Sequence, residues 1–503
     1  MTTTETQPVG TATAPAAPRR VSLLAMLAYA QGDCAISLVM NGIFGFAMLF
    51  YTKAVGLDPD WAGLALSVSV FWEAFSEPLM GAISDHTRSR WGNRHPYMLI
   101  GGILMAVCSY LIWTVPQSLQ SSQLALFWYL VVINFILRTA LTLFFIPYMA
   151  LGFEICTDYQ DRTKLQSIRQ ILNMAANFAG PALAWPLFFS GRHATSVAVN
   201  YRHMGTVFAM ATGVFAVLAT LLTLRWRQDT RRNPTTKHQP RRAEKLLKDF
   251  LNILSDRNAR WVFIFVFVSC AGMVVVSSLQ MYVYSDFMRF SALQKSLVHG
   301  GTMVGMALGA ACSIPLSKWF DKKGAVIVGV VITIGCSLVL ALLFSTGWVK
   351  PHADWDVGSL SFPLALASFG LFHDMYWFGN GILLPVSIAM IADISEVHTL
   401  RKGDNRDGSY SAVFSLAQRI AIATSLAAAG FGLTFIGYAV PTKGHAAVVQ
   451  TPPVLWRLGM LMFVIGAVFD ILALLVILKY PITRSKLEQE RMAAQARSAA
   501  AVA

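Results

Sequence analysis

The sequence predicts an all-α, polytopic membrane protein of twelve transmembrane helices in two pseudo-symmetric halves of six. Three observations predict it. Hydrophobic residues make up 55% of the 503-residue chain and charged residues only 13%, too little charge to cover a soluble surface. Twelve apolar runs, each close to or above the ~20 residues of one helical crossing, are separated by short polar gaps. The Lys and Arg residues gather in alternate gaps, as orientation signals do.

The runs lie near 23–50, 61–84, 97–115, 124–153, 168–190 and 204–224, then near 261–285, 293–317, 325–346, 361–391, 409–437 and 456–479. Inside a bilayer every backbone group needs an internal partner, so such runs form helices. The longest interruption, 225–260, is dense in Lys and Arg, among them Arg231, Arg232, Arg241 and Arg242. It reads as a basic linker between an N-terminal bundle over 21–224 and a C-terminal bundle over 261–480, with a short amphipathic piece at Ala243–Leu254. Residues 1–20, rich in Thr, Pro and Ala, read as a disordered tail, and 481–503 as a second tail. Residues 1–20 hold no apolar stretch before a cleavage site, so no signal peptide is expected.

Placing both tails and the linker on one side puts about 30 of the 40 Lys and Arg residues there, against about 8 opposite. That ratio predicts a cell (inner) membrane protein with an even number of spans and both termini cytoplasmic. After the second span comes Asp85-His86-Thr87-Arg88-Ser89-Arg90-Trp91-Gly92-Asn93-Arg94, and after the eighth comes Asp321-Lys322-Lys323-Gly324. The two stretches read as an internal repeat, or, for the second alone, as any short cytoplasmic turn.

The net charge of +14 is spread between apolar runs, not gathered on one folded face, which excludes a nucleic-acid partner. The six cysteines, Cys34, Cys108, Cys156, Cys270, Cys312 and Cys336, lack metal-ligand spacing and read as buried thiols. No HExxH zinc helix is present, so neither an intramembrane enzyme nor a metal centre is expected.

An ionisable group inside the bilayer costs about 2.5–3.5 kcal/mol on insertion scales, so each marks a candidate site. Glu73 and Glu77 stand four residues apart in the second span and share one helix face. Two ionised carboxylates there repel, so the pair needs a cation between them, a shared proton, or an arginine such as Arg138. Pro78 removes a backbone donor beside them. Asp33, in the first span, can accept hydrogen bonds from vicinal hydroxyls, or be satisfied by neighbouring helices. Arg138, central in the fourth span, can grip a carboxylate or neutralise the glutamates. In the tenth span His373 and Asp374 precede Tyr376 and Trp377, whose rings can stack on a sugar or simply pack. Arg419, in the eleventh span, belongs to the cavity or to a salt bridge.

Three stretches of the chain resemble the glycoside-pentoside-hexuronide:cation symporter family of the major facilitator superfamily, to which the melibiose carrier belongs. The first runs from Glu73 to Pro96. The second is Ile146-Pro147-Tyr148-Met149-Ala150-Leu151-Gly152-Phe153-Glu154, continuing to Arg169. The third is Ile391-Ala392-Asp393-Ile394-Ser395-Glu396 with Asp407-Gly408-Ser409-Tyr410-Ser411. With the span layout, the likeness covers about 22–480.

The resemblance implies a major facilitator fold and symport by alternating access. It assigns Glu73 and Glu77 to the cation site, with Thr142 as a neighbouring ligand, and Asp33 and Arg169 to the sugar. Arg419 stands where members commonly have a lysine. Asp393 and Glu396 match cytoplasmic acids of gating salt bridges, with Asp85 and Arg88 in the loop after the second span. The chain departs from the melibiose carrier at Phe145, where that carrier has a second sugar-binding aspartate, and at Gly32, where it has a lysine. Together with Arg138, these departures point to a sugar carrying a carboxylate, or to an amphipathic cargo such as a lysolipid. The expected ligands are thus a small-molecule substrate at Asp33, Arg138, Arg169, Tyr376, Trp377 and Arg419, and a coupling ion, H+ or Na+, at the acid pair. No other cofactor is expected, and no protein partner beyond a monomer in the lipid bilayer.

Overall fold

The computed structural model describes residues 21–155, 159–191, 193–226, 253, 256–351, 355–357, 360–402, 407–441 and 448–502. Among them are thirteen long helices. The first half holds α1 (Leu23–Val55), α2 (Pro59–His86), α3 (His95–Leu111), α4 (Gln123–Ile155), α5 (Tyr159–Phe188) and α6 (Ala198–Leu222). The second holds α7 (Arg257–Tyr282), α8 (292–320), α9 (322–345), α10 (Leu364–Lys402), α11 (Asp407–Phe435) and α12 (Pro452–Ile477). A thirteenth helix, α13 (Arg484–Val502), follows. The twelve predicted runs therefore all fall on helices.

Local chemistry sets the ends of several helices. Ser22 caps α1 by accepting from the Ala25 amide, and Gly56, at φ 87°, ends the π-helical turn Tyr51–Val55 that closes it. Ser291 and Gln294 form a reciprocal capping box at the start of α8. Helices α8 and α9 have no loop between them. Asp321 alone turns the chain, at φ 62° and ψ 166°, and its carboxylate accepts from the backbone N–H of Lys322 at 2.6 Å and of Arg484 at 2.9 Å. A two-stranded hairpin, β1 (Trp355–Val357) and β2 (Leu360–Phe362), joins α9 to α10 with Trp355 opposite Phe362. Sequence periodicity at this length does not reveal it.

Two expectations meet the structure differently. The tail 481–503 contains a helix, α13, docked along α10: Arg491 bonds Glu396 at 2.6 and 2.9 Å, and Arg401 bonds Glu490 at 2.5 Å. Most of the linker 225–260 lies outside the described residues, and so, apart from Ile253, does the amphipathic piece at Ala243–Leu254.

The helices alternate direction, so one face carries the starts of α1 and α7 together with α13 (the terminal face); the other is the far face. At the far face the halves are joined. Thr52 of α1 and Tyr282 of α7 share a 2.6 Å hydrogen bond, Lys53 pairs with Asp286, and Ser296 of α8 donates to the Ala182 carbonyl of α5 at 2.6 Å. Gly63 of α2 and Gly430 of α11 let these helices meet backbone to backbone; a Cβ at Gly430 would stand 2.2 Å from the Pro59 carbonyl oxygen. The apolar core follows the same division. One cluster runs through the first half into the far-face part of the second, joining Tyr51, Trp113 and Tyr201 to Tyr282, Phe287 and Phe463. A separate cluster, with Val262, Val326, Met390, Tyr410 and Ile477, fills the terminal-face part of the second half. Packing is therefore continuous between the halves at the far face and divided at the terminal face.

Candidate functional site

Helix α2 is apolar enough to pack yet carries two acids one turn apart, and two other helices bring the charges that stabilise them. Glu73 is 4% exposed and Arg138, from α4, only 1%. Arg138 Nη1 donates to Glu73 Oε1 at 2.9 Å. From the other half, Arg419 of α11 bonds Glu73 through Nη1 and Glu77 through Nη2. Two carboxylates thus face two guanidiniums, a four-charge cluster where burial of any lone charge would be costly.

Of the partners the sequence leaves open for the acid pair, this conformation holds arginine: Arg138 and Arg419 supply the positive charge. Arg419, which the sequence leaves between the cavity and a salt bridge, holds a glutamate at each end in this conformation. Arg138 is only partly used. Its Nε and Nη2 have no hydrogen-bond partner among the described residues, and its guanidinium lies 5.4 Å from the Phe44 ring centroid. Thr142, one turn beyond Arg138, donates to the Arg138 carbonyl at 3.1 Å. Its hydroxyl also lies 3.2 Å from that of Ser76, which stands between the two glutamates. Thr142 therefore sits beside the acid pair. Ser76 was not singled out in the sequence, where one serine in a span carries no signal.

The second cluster centres on Asp33 of α1. Arg169 of α5 grips it with both arms, Nε to Oδ2 at 2.8 Å and Nη2 to Oδ1 at 2.9 Å, and Tyr148 of α4 donates to Oδ2 at 2.6 Å. Tyr29 and Tyr148 stack at 4.3 Å, and the Arg169 guanidinium lies 5.7 and 5.1 Å from their centroids. The Tyr148 ring occupies the space a side chain at position 32 would need, 2.5 Å from a Cβ there, so Gly32 is a packing requirement.

From this cluster a polar ladder runs toward the far face. Residues 33, 37 and 41 of α1 oppose 169, 173 and 177 of α5, each pair offset by 136. Asn173 donates to Ser37 Oγ at 2.8 Å, Asn41 to Asn177 Oδ1 at 2.5 Å, and Asn177 to Asn173 Oδ1 at 2.8 Å. Eight residues of helix make the ladder about 12 Å long. The three asparagines are half-buried, each keeping polar valence beyond these bonds. A spacing of four along the first and fifth spans is the signal that could have revealed them.

The expected gating residues do not bridge the halves. Asp85 pairs with Arg94 at 2.6 Å, and Arg94 also reaches Glu154 at 3.1 Å. Asp393 pairs with Lys322 at 2.6 Å, and Glu396 with Arg491. Each pair lies within one half or with α13, and no ion pair among the described residues joins the halves at the terminal face. Arg88 lies in the segment after α2 and makes no ion pair among the described residues, where Asp85 pairs with Arg94.

Tyr376 and Trp377 are buried in the second half's own packing. Trp377 donates to His373 Nε2 at 3.3 Å, His373 also meets Gln280 at 3.1 Å, and the Tyr376 ring is parallel to His373 at 6.2 Å. They join neither cluster. Asp374 packs against Gly301 of α8 and does not bond His373, so the two make no relay.

The chain matches the family described as MFS/sugar transport protein over residues 28–484. It is 24% identical to the glucuronide carrier protein homolog of Escherichia coli (strain K12), an alignment covering 94% of this chain and 95% of that protein. It is 22% identical to the sodium-dependent lysophosphatidylcholine symporter 1-B of Danio rerio, over 94% of this chain and 89% of that one. The crystal structure of a D-xylose-proton symporter superposes with a TM-score of 0.62, covering 92% and 98% of the two chains at 15% identity. That likeness shows the fold alone, and it is the all-α, polytopic fold the sequence predicts.

Proposed function

The chain belongs to the glycoside-pentoside-hexuronide:cation symporters of the major facilitator superfamily, and from that membership we propose that it is a secondary active carrier coupling a cation to uptake of a sugar acid. One observation carries the reading. Arg419, from the second half, occupies the acid pair of the first and so ties the halves through the site where a coupling ion would bind. A proton or sodium ion entering between Glu73 and Glu77 competes with that guanidinium. Its arrival releases the tie and leaves one positive charge uncompensated. A carboxylate on the cargo supplies the balance, at Arg419 or at the two unused nitrogens of Arg138.

The sugar hydroxyls are assigned to Asp33, Arg169 and the Ser37–Asn41–Asn173–Asn177 ladder, whose alternating amides and hydroxyls suit vicinal diols. That density of polar groups favours a sugar over a lysolipid chain. The halves then rock about the bound ligands, opening each face in turn. In this reading the carrier performs no covalent chemistry, works as a monomer in the inner membrane, and has cytoplasmic termini, so the closed far face is periplasmic.

The test is uptake of D-glucuronate into proteoliposomes under an imposed proton or sodium gradient. Accumulation driven by one gradient and abolished by Glu77→Gln is expected. Uptake indifferent to both gradients would discard coupling; accumulation of neutral glycosides alone would discard the acid cargo.

A further inference from the structure

A polar cavity lies away from both clusters, at the far face where the halves close. It has a volume of about 780 Å³, ample for a monosaccharide and within the range of small-molecule sites. Its walls come from both halves: the end of α1, the segment between α5 and α6, the turn from α7 to α8, and the approach to α12.

Its charge is unbalanced. Among its described lining residues Lys53, Arg289 and Lys295 are cationic, and Asp286 is the one carboxylate. That carboxylate is already engaged, by Lys53 on one oxygen and by the Tyr438 hydroxyl at 2.6 Å on the other. Lys295, one turn into α8, is 6% exposed. Its ammonium lies 4.7 Å over the Trp185 ring, and no acceptor takes its hydrogens among the described residues. Ser285 Oγ, on the same wall, is buried and likewise unpartnered among them. Lys295 lines the cavity with its side chain largely buried and its ammonium free of protein acceptors among the described residues, so its three donors are available to an anion there.

We infer that this cavity is a binding site for the carboxylate of a sugar acid, held by Lys295 and Arg289, with Ser285 donating to the same group or to a neighbouring hydroxyl. The flank formed by Phe290 and Leu455 gives the sugar ring an apolar surface. Because both halves build the site only when the far face is shut, occupancy favours the closed arrangement. The carboxylate preference follows from the cavity itself; the sugar portion of the ligand rests on the function proposed above.

The experiment is thiol protection on the full-length carrier in lipid nanodiscs. Ser196→Cys supplies a half-buried reporter in the cavity wall at a position that is not a proposed ligand, labelled with a charged maleimide against a parent carrying the native cysteines. D-Glucuronate is expected to slow labelling at least tenfold, D-glucose not to slow it, and Lys295→Met to remove the protection while Lys295→Arg keeps it. Monodispersity and Tm of each variant establish that it is folded. Protection persisting in Lys295→Met, or equal protection by inorganic phosphate or glucose, would overturn the assignment. Adding Asp33→Asn separates this from the transport reading. It removes uptake if that reading holds, and it leaves protection of the reporter thiol unchanged if the far-face site exists.

Discussion

Arg419 of α11 is bonded to Glu77 of α2 across the boundary between the two halves, and the same guanidinium holds Glu73. Arg419→Gln leaves Glu77 without its cation. Breaking a fully buried pair costs about 3–5 kcal/mol. Arg419 and Glu77 are each about a quarter exposed, so about 1–2 kcal/mol is expected here. Thermal unfolding in detergent should show Arg419→Gln less stable, and the double variant with Glu77→Gln should recover most of the loss. Strictly additive losses would mean the two side chains do not interact.

Arg169 holds Asp33 by two parallel bonds that a lysine cannot reproduce. Arg169→Lys should therefore lower Tm and cut uptake at least tenfold. Arg169→Ala should be worse, leaving a buried carboxylate with Tyr148 as its one remaining side-chain donor among the described residues, at about 3–5 kcal/mol. Wild-type uptake by Arg169→Lys would show that the fork geometry is unimportant.

The backbone contact of Gly63 with Gly430 sets how tightly the far face closes. Gly430→Leu inserts a side chain where even a Cβ meets the Pro59 carbonyl, so the halves must part there. Cysteine introduced at Thr52, buried at the α1–α7 contact, should then label several times faster with an impermeant reagent than in a Gly430 background. Unchanged labelling would place the closure elsewhere.

Docking of α13 should depend on pH. The hydrogen bond from Arg401 holds the Glu490 carboxyl below its ordinary value of 4.5. A carboxylate lowered in the docked state contributes stability that is present above pH 4.5 and lost as pH falls through its lowered value. Hydrogen exchange over residues 484–497 should therefore be slow at pH 7 and, after correction for intrinsic rates, faster near pH 4. High salt should speed it too, since these pairs are exposed. Protection unaffected by both conditions would assign the docking to apolar contact.

Much of this was legible in the sequence, for identifiable reasons. Twelve helices follow from run length, because lipid permits little else. Glu73, Glu77, Asp33 and Arg138 were visible because charge in an apolar run is rare. What joins them was not visible. That Arg419 reaches the acids of the other half depends on how two bundles pack, about which one-dimensional spacing is silent. The asparagine ladder was missed because its repeat of four is split between the first and fifth spans. Tyr376 and Trp377 looked like candidate sugar platforms because a ring that packs and a ring that binds have the same sequence. The tail helix α13 has no apolar run, and its partners on α10 lie about 90 residues away.

The four charges shared by Glu73, Glu77, Arg138 and Arg419 sum to zero, and this bears on how the carrier responds to voltage. Adding one monovalent cation makes the moving unit positive, and its passage across the bilayer then exchanges about 2.3 kcal/mol with every 100 mV of membrane potential. A cargo bearing one carboxylate cancels that charge, making each cycle electrically silent and driven by concentration gradients alone. A neutral cargo would instead make every turnover electrogenic, and a current recorded from a supported membrane would distinguish the two.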